Sequence, residues 1–193
     1  PSIKNDMDTS IFIAGYLEKH QRLIANLPQT KIAELIAIYE KAWQENRQMF
    51  VCGNGGSATN ASHFITDLSK AASDKMDKPF KGMSLNEHLS WITALGNDYA
   101  YEDIYVRQLM NFAQPGDLFM ALSVSGNSPN LVKAAKWAKE NGVFVIALVS
   151  ARPCQLAELA DFVIAVDETH YGRVEDAHMG ICHMVCYAFI ERT

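Results

Sequence analysis

A chain of 193 residues that is 49% apolar and 20% charged has the make-up of one ordinary folded domain, which sets aside disorder and low-complexity scaffolds. Its 17 Lys and Arg against 22 Asp and Glu leave a net charge of −5, which argues against a broad basic face for nucleic acid or anionic lipid but leaves room for a small anion pocket. Val143 to Val149, the longest apolar run, falls far short of the roughly 20 residues of a membrane span, and no secretory leader is visible, so no membrane contact and a cytoplasmic address are expected.

In chain order, residues 8–27 carry Ile13, Leu17, Ile24 and Leu27 at helical spacing. Thr30 is placed to cap a second helix with Ile32, Leu35, Ile36, Tyr39 and Trp43 on one stripe. Short apolar runs then alternate with helical segments: Met49 to Cys52, Gly82 to Leu85, Leu118 to Leu122, Val143 to Val149 and Phe162 to Val166. Runs apolar at nearly every position suit strands covered on both faces, so the pattern predicts a doubly wound α/β sheet. No repeat or flexible linker divides the chain. Residues 1–193 are therefore expected to form a single domain, with residues 1–47 a helical segment that packs on the sheet or on a second subunit.

In such sheets ligands sit beyond the carboxyl ends of strands, where loops enter helix N-termini. After the first strand comes Gly53-Asn54-Gly55-Gly56-Ser57, whose glycines let backbone amides approach a ligand while Asn54 and Ser57 offer donors. It lacks the Lys-Ser/Thr of a Walker loop and the spacing of a dinucleotide fingerprint, so it reads as a sugar-phosphate cradle or a tight strand-to-helix turn. After the third strand comes Ser123-Val124-Ser125-Gly126-Asn127-Ser128-Pro129, with Pro129 suited to a first helical position. Its three serines at a positive helix end fit a phosphate monoester; a capping role explains Ser128 alone. Asn97-Asp98 suits either a ligand hydroxyl or a cap for the next helix.

Two helical segments add titratable groups. His63 and Asp67 lie about 40° apart on one helix face, and Glu175 and His183 about 80° apart on the last helix. His178 and His183 differ by about 140°, so one of them faces elsewhere; His183 is the pocket candidate and His178 the packing residue. Two histidines and two carboxylates suit a divalent ion such as zinc, and equally serve as acid and base without one. Cys182 and Cys186, with Cys52 and Cys154, read as reduced buried thiols, and Lys70, Lys75, Lys78 and Lys81 interleaved with acids as a solvated connection.

In this order, the Gly53–Ser57 loop with His63, the stretch Thr93-Ala94-Leu95-Gly96-Asn97-Asp98-Tyr99, the Ser123–Ser128 loop and the Glu175–His183 helix resemble the sugar isomerase (SIS) domain family, and within it the bacterial phosphoheptose isomerases. The resemblance covers nearly the whole chain. It implies a three-layer α-β-α architecture with a five-stranded parallel, flavodoxin-like sheet, and a homotetramer with active sites between subunits. It implies conversion of sedoheptulose 7-phosphate to glycero-manno-heptose 7-phosphate for lipopolysaccharide or capsule synthesis. It further implies one zinc per subunit at His63, Asp67, Glu175 and His183, with Asp67 as catalytic base and His183 as acid. The implied substrate contacts are Asn54, Gly55, Gly56, Ser57, Asn97, Asp98, Ser123, Val124, Ser125, Ser128 and Glu175. Asp67 stands where the family has Glu, Glu175 where it has Gln, and Val124 where it has Thr. A non-catalytic SIS module that binds a phosphosugar or a protein partner, as the replication-initiator-associating proteins do, is the alternative. Retention of all four polar side chains favours catalysis.

Overall fold

The computed structural model describes residues 8–192. Helix α1 (Thr9–Ala25) starts at Asp8, whose carboxylate accepts hydrogen bonds from the Ser10 and Ile11 amides at 2.9 and 3.3 Å. Of the stripe read from sequence only Leu27 is buried, just past the helix end; Ile13, Leu17 and Ile24 are exposed, together with Ile11 and Phe12. Among the described residues nothing covers this apolar face. Helix α2 (Gln29–Gln44) begins one residue before Thr30, directly after Pro28 at φ −75°. Thr30 is therefore not the cap: the ring of Pro28 delivers the chain already turned, and no side chain caps this start. Ile32, Leu35, Tyr39 and Ala42 form its buried stripe.

The strands are β1 (Gln48–Gly53), β2 (Lys81–Ser84), β3 (Leu118–Ser123), β4 (Phe144–Ser150) and β5 (Phe162–Val166). They form one five-stranded sheet in the order β2-β1-β3-β4-β5, every pair parallel. Because side chains alternate along a strand, the apolar runs supply two separate cores. Met49, Val51, Met120, Leu122, Ile146 and Leu148 face α2, α3 (Gly56–Thr66) and α8 (Tyr171–Ile190). Phe50, Cys52, Phe119, Ala121, Val145 and Ala147 face α4 (Leu89–Asp98), α5 (Val106–Phe112), α6 (Pro129–Glu140) and α7 (Gln155–Leu159). The expected three-layer arrangement is present. The lysine-rich connection is largely solvated as expected, and its first half is helical, a π turn at Asp67–Ala72 running into a 3-10 turn at Ser73–Lys75, with Lys70 paired to Asp74 at 3.3 Å in solvent.

The strand order reverses between β1 and β3. Their ladder ends at Gly53 and Leu122, after which α3 departs to one face of the sheet and α6 to the other. Such a switch point opens a crevice between the two loops. Among the described residues no helix is long and apolar enough to cross a membrane. All four cysteines are buried and free.

Helix α8 and the turn leading into it carry two groups that make stability depend on pH. His178 is fully buried with Nε2 3.3 Å from the Val149 carbonyl, and burial pushes its pKa from 6.5 down to about 4. Glu168 is held at about 2, first by the hydrogen bond from the Arg173 guanidinium. The unfolded chain binds a proton at His178 below pH 6.5 that the folded chain refuses until about pH 4, so stability falls as pH drops through that window. The Glu168 contribution is lost below it, between about pH 4.5 and 2. Urea unfolding between pH 7 and 4 should show this decline, and His178→Met should flatten it; a parent whose stability is level from pH 7 to 4 contradicts the assignment.

Candidate active site

The first loop is fixed from behind. Gly53 donates its amide to Asn86 Oδ1 (3.2 Å), and its carbonyl accepts from Asn86 Nδ2 (2.9 Å) and from the Tyr105 hydroxyl. Asn86 thus continues the sheet two residues past β2, using a side-chain amide in place of backbone. A Cβ at Gly53 would collide with Ser57, so the chain turns tightly into α3 only with glycine there. Gly55 then takes φ 57° and α3 begins at Gly56. A Cβ at Gly56 would meet the Glu175 carboxylate, which lies directly over this turn.

The second loop is held by its own hydroxyls. Ser123 Oγ accepts from the Gly126 amide (3.0 Å) and Ser125 Oγ from the Asn127 amide (3.3 Å). Gly126 sits at φ 64° against the Cys154 side chain. Pro129 occupies the first turn of α6 as expected, yet the Ser128 hydroxyl makes no capping bond and stays available to a ligand. Together Asn54, Ser57, Ser123, Val124, Ser125, Ser128 and Glu175 line a cleft of about 90 Å³, completed by Leu122 and Tyr171. Burial, and then the neighbouring Asp176, raise the pKa of Glu175.

A second group lies further along the same two helices. Helices α3 and α8 run side by side in the same direction: Gly56 meets Glu175, Asn60 Nδ2 donates to the Glu175 carbonyl (2.8 Å), and His63 meets His183. Where α3 widens into the π turn, Asp67 Oδ2 lies 3.3 Å from His63 Nε2 and 3.7 Å from His183 Nε2. The His63 and His183 rings meet edge to face at 5.0 Å, and the donor atoms of all three residues fall within 4.8 Å of one another. Two imidazoles and one carboxylate, side chains 51%, 42% and 26% exposed for His63, His183 and Asp67, are a donor set that suits a catalytic divalent ion with a position open to substrate.

Glu175 does not join this group in its own chain, because eight residues of α8 separate it from His183 by about 12 Å. Asn97 and Asp98 end helix α4 rather than capping the next one; they are exposed and bonded to each other at 2.9 Å, away from the cleft. Val124 is 4% exposed and gives the cleft an apolar wall. Sequence reasoning passed over Asn86, Tyr105, Asn130 and Tyr171. Asn130 had a usable signal, a polar side chain in register with the small apolar stripe Ala134 and Ala138; Tyr105 had none, since its contacts are all long-range.

Residues 15–150 match the SIS domain. A phosphoheptose isomerase of Rhodospirillum rubrum is 37% identical over 155 residues, covering 80% of this chain and 82% of that protein. The phosphoheptose isomerase of Mycobacterium tuberculosis is 40% identical over 144 residues, 74% of this chain and 72% of that protein. A solved phosphoheptose isomerase from Francisella tularensis superposes with a TM-score of 0.89 at 25% identity, covering 96% of this chain and all of that one.

Zinc titration followed by calorimetry should show one site in the parent and an affinity at least about tenfold weaker in His63→Ala or His183→Ala; parental affinity in both variants contradicts the grouping. Gly126→Ala, which forces a Cβ at positive φ into Cys154, should cost about 1–3 kcal/mol in denaturant unfolding.

Proposed function

Because this chain belongs to the SIS-domain family and sits among its phosphoheptose isomerases, we propose that it converts sedoheptulose 7-phosphate to D-glycero-D-manno-heptose 7-phosphate through an enediol. The observation that carries this reading is the pairing of an anion-sized, hydroxyl-lined cleft with a carboxylate held between two imidazoles on the same pair of helices.

The phosphate is held by the Ser123, Ser125 and Ser128 hydroxyls and by amides at the starts of α3 and α6. Asp67 removes a proton from C1 while His183 gives a proton to the C2 carbonyl oxygen, which forms the enediol. Asp67 then returns its proton to C2 as His183 takes the O1 proton, leaving the aldehyde at C1. His63, Asp67 and His183 would hold a divalent ion, with zinc the expected choice, and such an ion would supply fixed positive charge to stabilise the developing oxyanion. A carboxylate has two oxygens and an imidazole two nitrogens, so Asp67 and His183 each keep an atom for proton transfer. Asp is one methylene shorter than the family's Glu, and the π turn at Asp67 widens the helix at that same place.

Glu175 acts in a site completed by a second subunit. On its own helix it stands about 12 Å from His183, too far to share an ion, but a neighbouring copy can bring its Glu175 to this trio. The exposed apolar face of α1, with Ile11 at 71% and Leu17 at 59% exposure, supports assembly, and a homotetramer is the expected form. The product would enter heptose synthesis for a surface glycan in the cytoplasm.

His183→Ala should lower isomerisation of sedoheptulose 7-phosphate by at least about 10²-fold while the melting temperature stays within a few degrees; parental turnover would sink the role. Glu175→Ala is expected to be similarly impaired. Co-expression of the two variants should restore about a quarter of the parental activity, since one in four subunit pairs then joins an intact trio to an intact Glu175. Absence of any recovery would place the whole site within one chain.

A further inference from the structure

The crevice at the switch point needs its two walls kept in register, because the β1–β3 ladder stops at Gly53 and Leu122. One pair of side chains spans the gap. Asn54 Nδ2 donates to Asn130 Oδ1 at 2.9 Å, and Asn130 Nδ2 donates back to Asn54 Oδ1 at 2.9 Å. A reciprocal amide pair of this kind fixes both distance and plane, since neither group can rotate without breaking both bonds.

Each amide is anchored in its own wall. Asn130 is 1% exposed in the first turn of α6, two residues past Ser128, and its Oδ1 also accepts the Leu131 amide at 2.9 Å. Asn54 Oδ1 lies 3.1 Å from the Tyr105 hydroxyl, which donates to the Gly53 carbonyl and accepts from Asn86 Nδ2 at 2.8 Å. The same wall is tied again on the surface, where Lys133 of α6 reaches Glu102 at 2.9 Å and Asp103 at 3.1 Å. The Asn54 side chain is therefore mostly consumed inside the protein rather than offered to a ligand.

We propose that Asn130 is a positioning residue of the isomerase: through Asn54, and with Tyr105 behind it, it latches the Gly53–Ser57 loop to the Ser123–Ser128 loop and so sets the width of the phosphate cleft. The catalytic consequence rests on the isomerase reading, whereas the latch itself does not. Removing it leaves Asp67 and His183 in place and weakens the hold on the phosphate in ground state and transition state alike.

The test uses the full-length parent and two variants, Asn130→Leu, close in volume and without the amide, and Tyr105→Phe, which removes one oxygen and keeps the protein folded should the first fail. Amide hydrogen exchange without ligand should quicken in both loops together, by about tenfold or more, while the amides of α8 around residues 178–185 keep their protection. With sedoheptulose 7-phosphate, KM should rise about tenfold and kcat change by less than about threefold. Unchanged exchange in both loops, or a fall in kcat at parental KM, overturns the proposal. A parent that fails to turn over the substrate ends the isomerase reading instead, and the exchange measurement still decides the latch.

Discussion

The contact between α3 and α8 is the constraint on which the rest of this protein turns. Both helices lie on one face of the sheet, start at the carboxyl ends of their strands and run in the same direction. Phe64, Leu68, Val185 and Phe189 are fully buried in that layer, and each contributes about 1.5–3 kcal/mol of apolar burial. Ala61, Ala177, Cys182 and Cys186 in the same layer are small, which lets the helices approach closely. With the helices in register, Glu175 must stand over the Gly56 turn at one end, and His183 must meet His63 and Asp67 two turns further along. A slip of one residue would turn every side chain by about 100° and disperse both groups.

The net charge says little about the ligand. The proposed phosphate site is built from backbone amides, serine hydroxyls and helix N-termini at the switch point, and no Lys or Arg is among the residues that line the cleft. Local dipoles can hold one phosphate group on a chain that is negative overall. Glycine matters here at two places for two reasons: Gly53 because Ser57 packs where a Cβ would be, and Gly126 because its backbone is left-handed against Cys154.

Much of this was legible in the sequence. The five apolar runs are the five strands, with ends shifted by at most one residue; the central strands β1, β3 and β4 are almost wholly buried and need continuous apolar stretches, while the edge strands β2 and β5 are partly exposed. Helix rotation shows that His178 and His183 face different ways, and His178 is the one that packs against the Val149 carbonyl with no exposure. What local pattern could not supply was any contact between distant segments. The Asn86 and Tyr105 clamp on Gly53 spans 33 and 52 residues, and the Asn54–Asn130 pair spans 76. Nor does spacing announce the π turn at Asp67, or the helix that carries Asn97 and Asp98 away from the cleft of their own chain. The exposed stripe of α1 reads in sequence like any core-facing helix, since a period of 3.6 reports that a face is apolar and not what covers it.

The proposed isomerisation depends on proton transfer by a partly exposed carboxylate. The direct measurement is isomerisation of sedoheptulose 7-phosphate in D2O, with the aldose product followed by proton NMR. Because the side chain of Asp67 is 26% exposed, the proton it takes from C1 can exchange with solvent before it is returned, and deuterium should appear at C2 of the product. Product formed over many turnovers with only protium at C2 would mean that hydrogen passes between the carbons without reaching solvent, and would contradict the assigned role of Asp67.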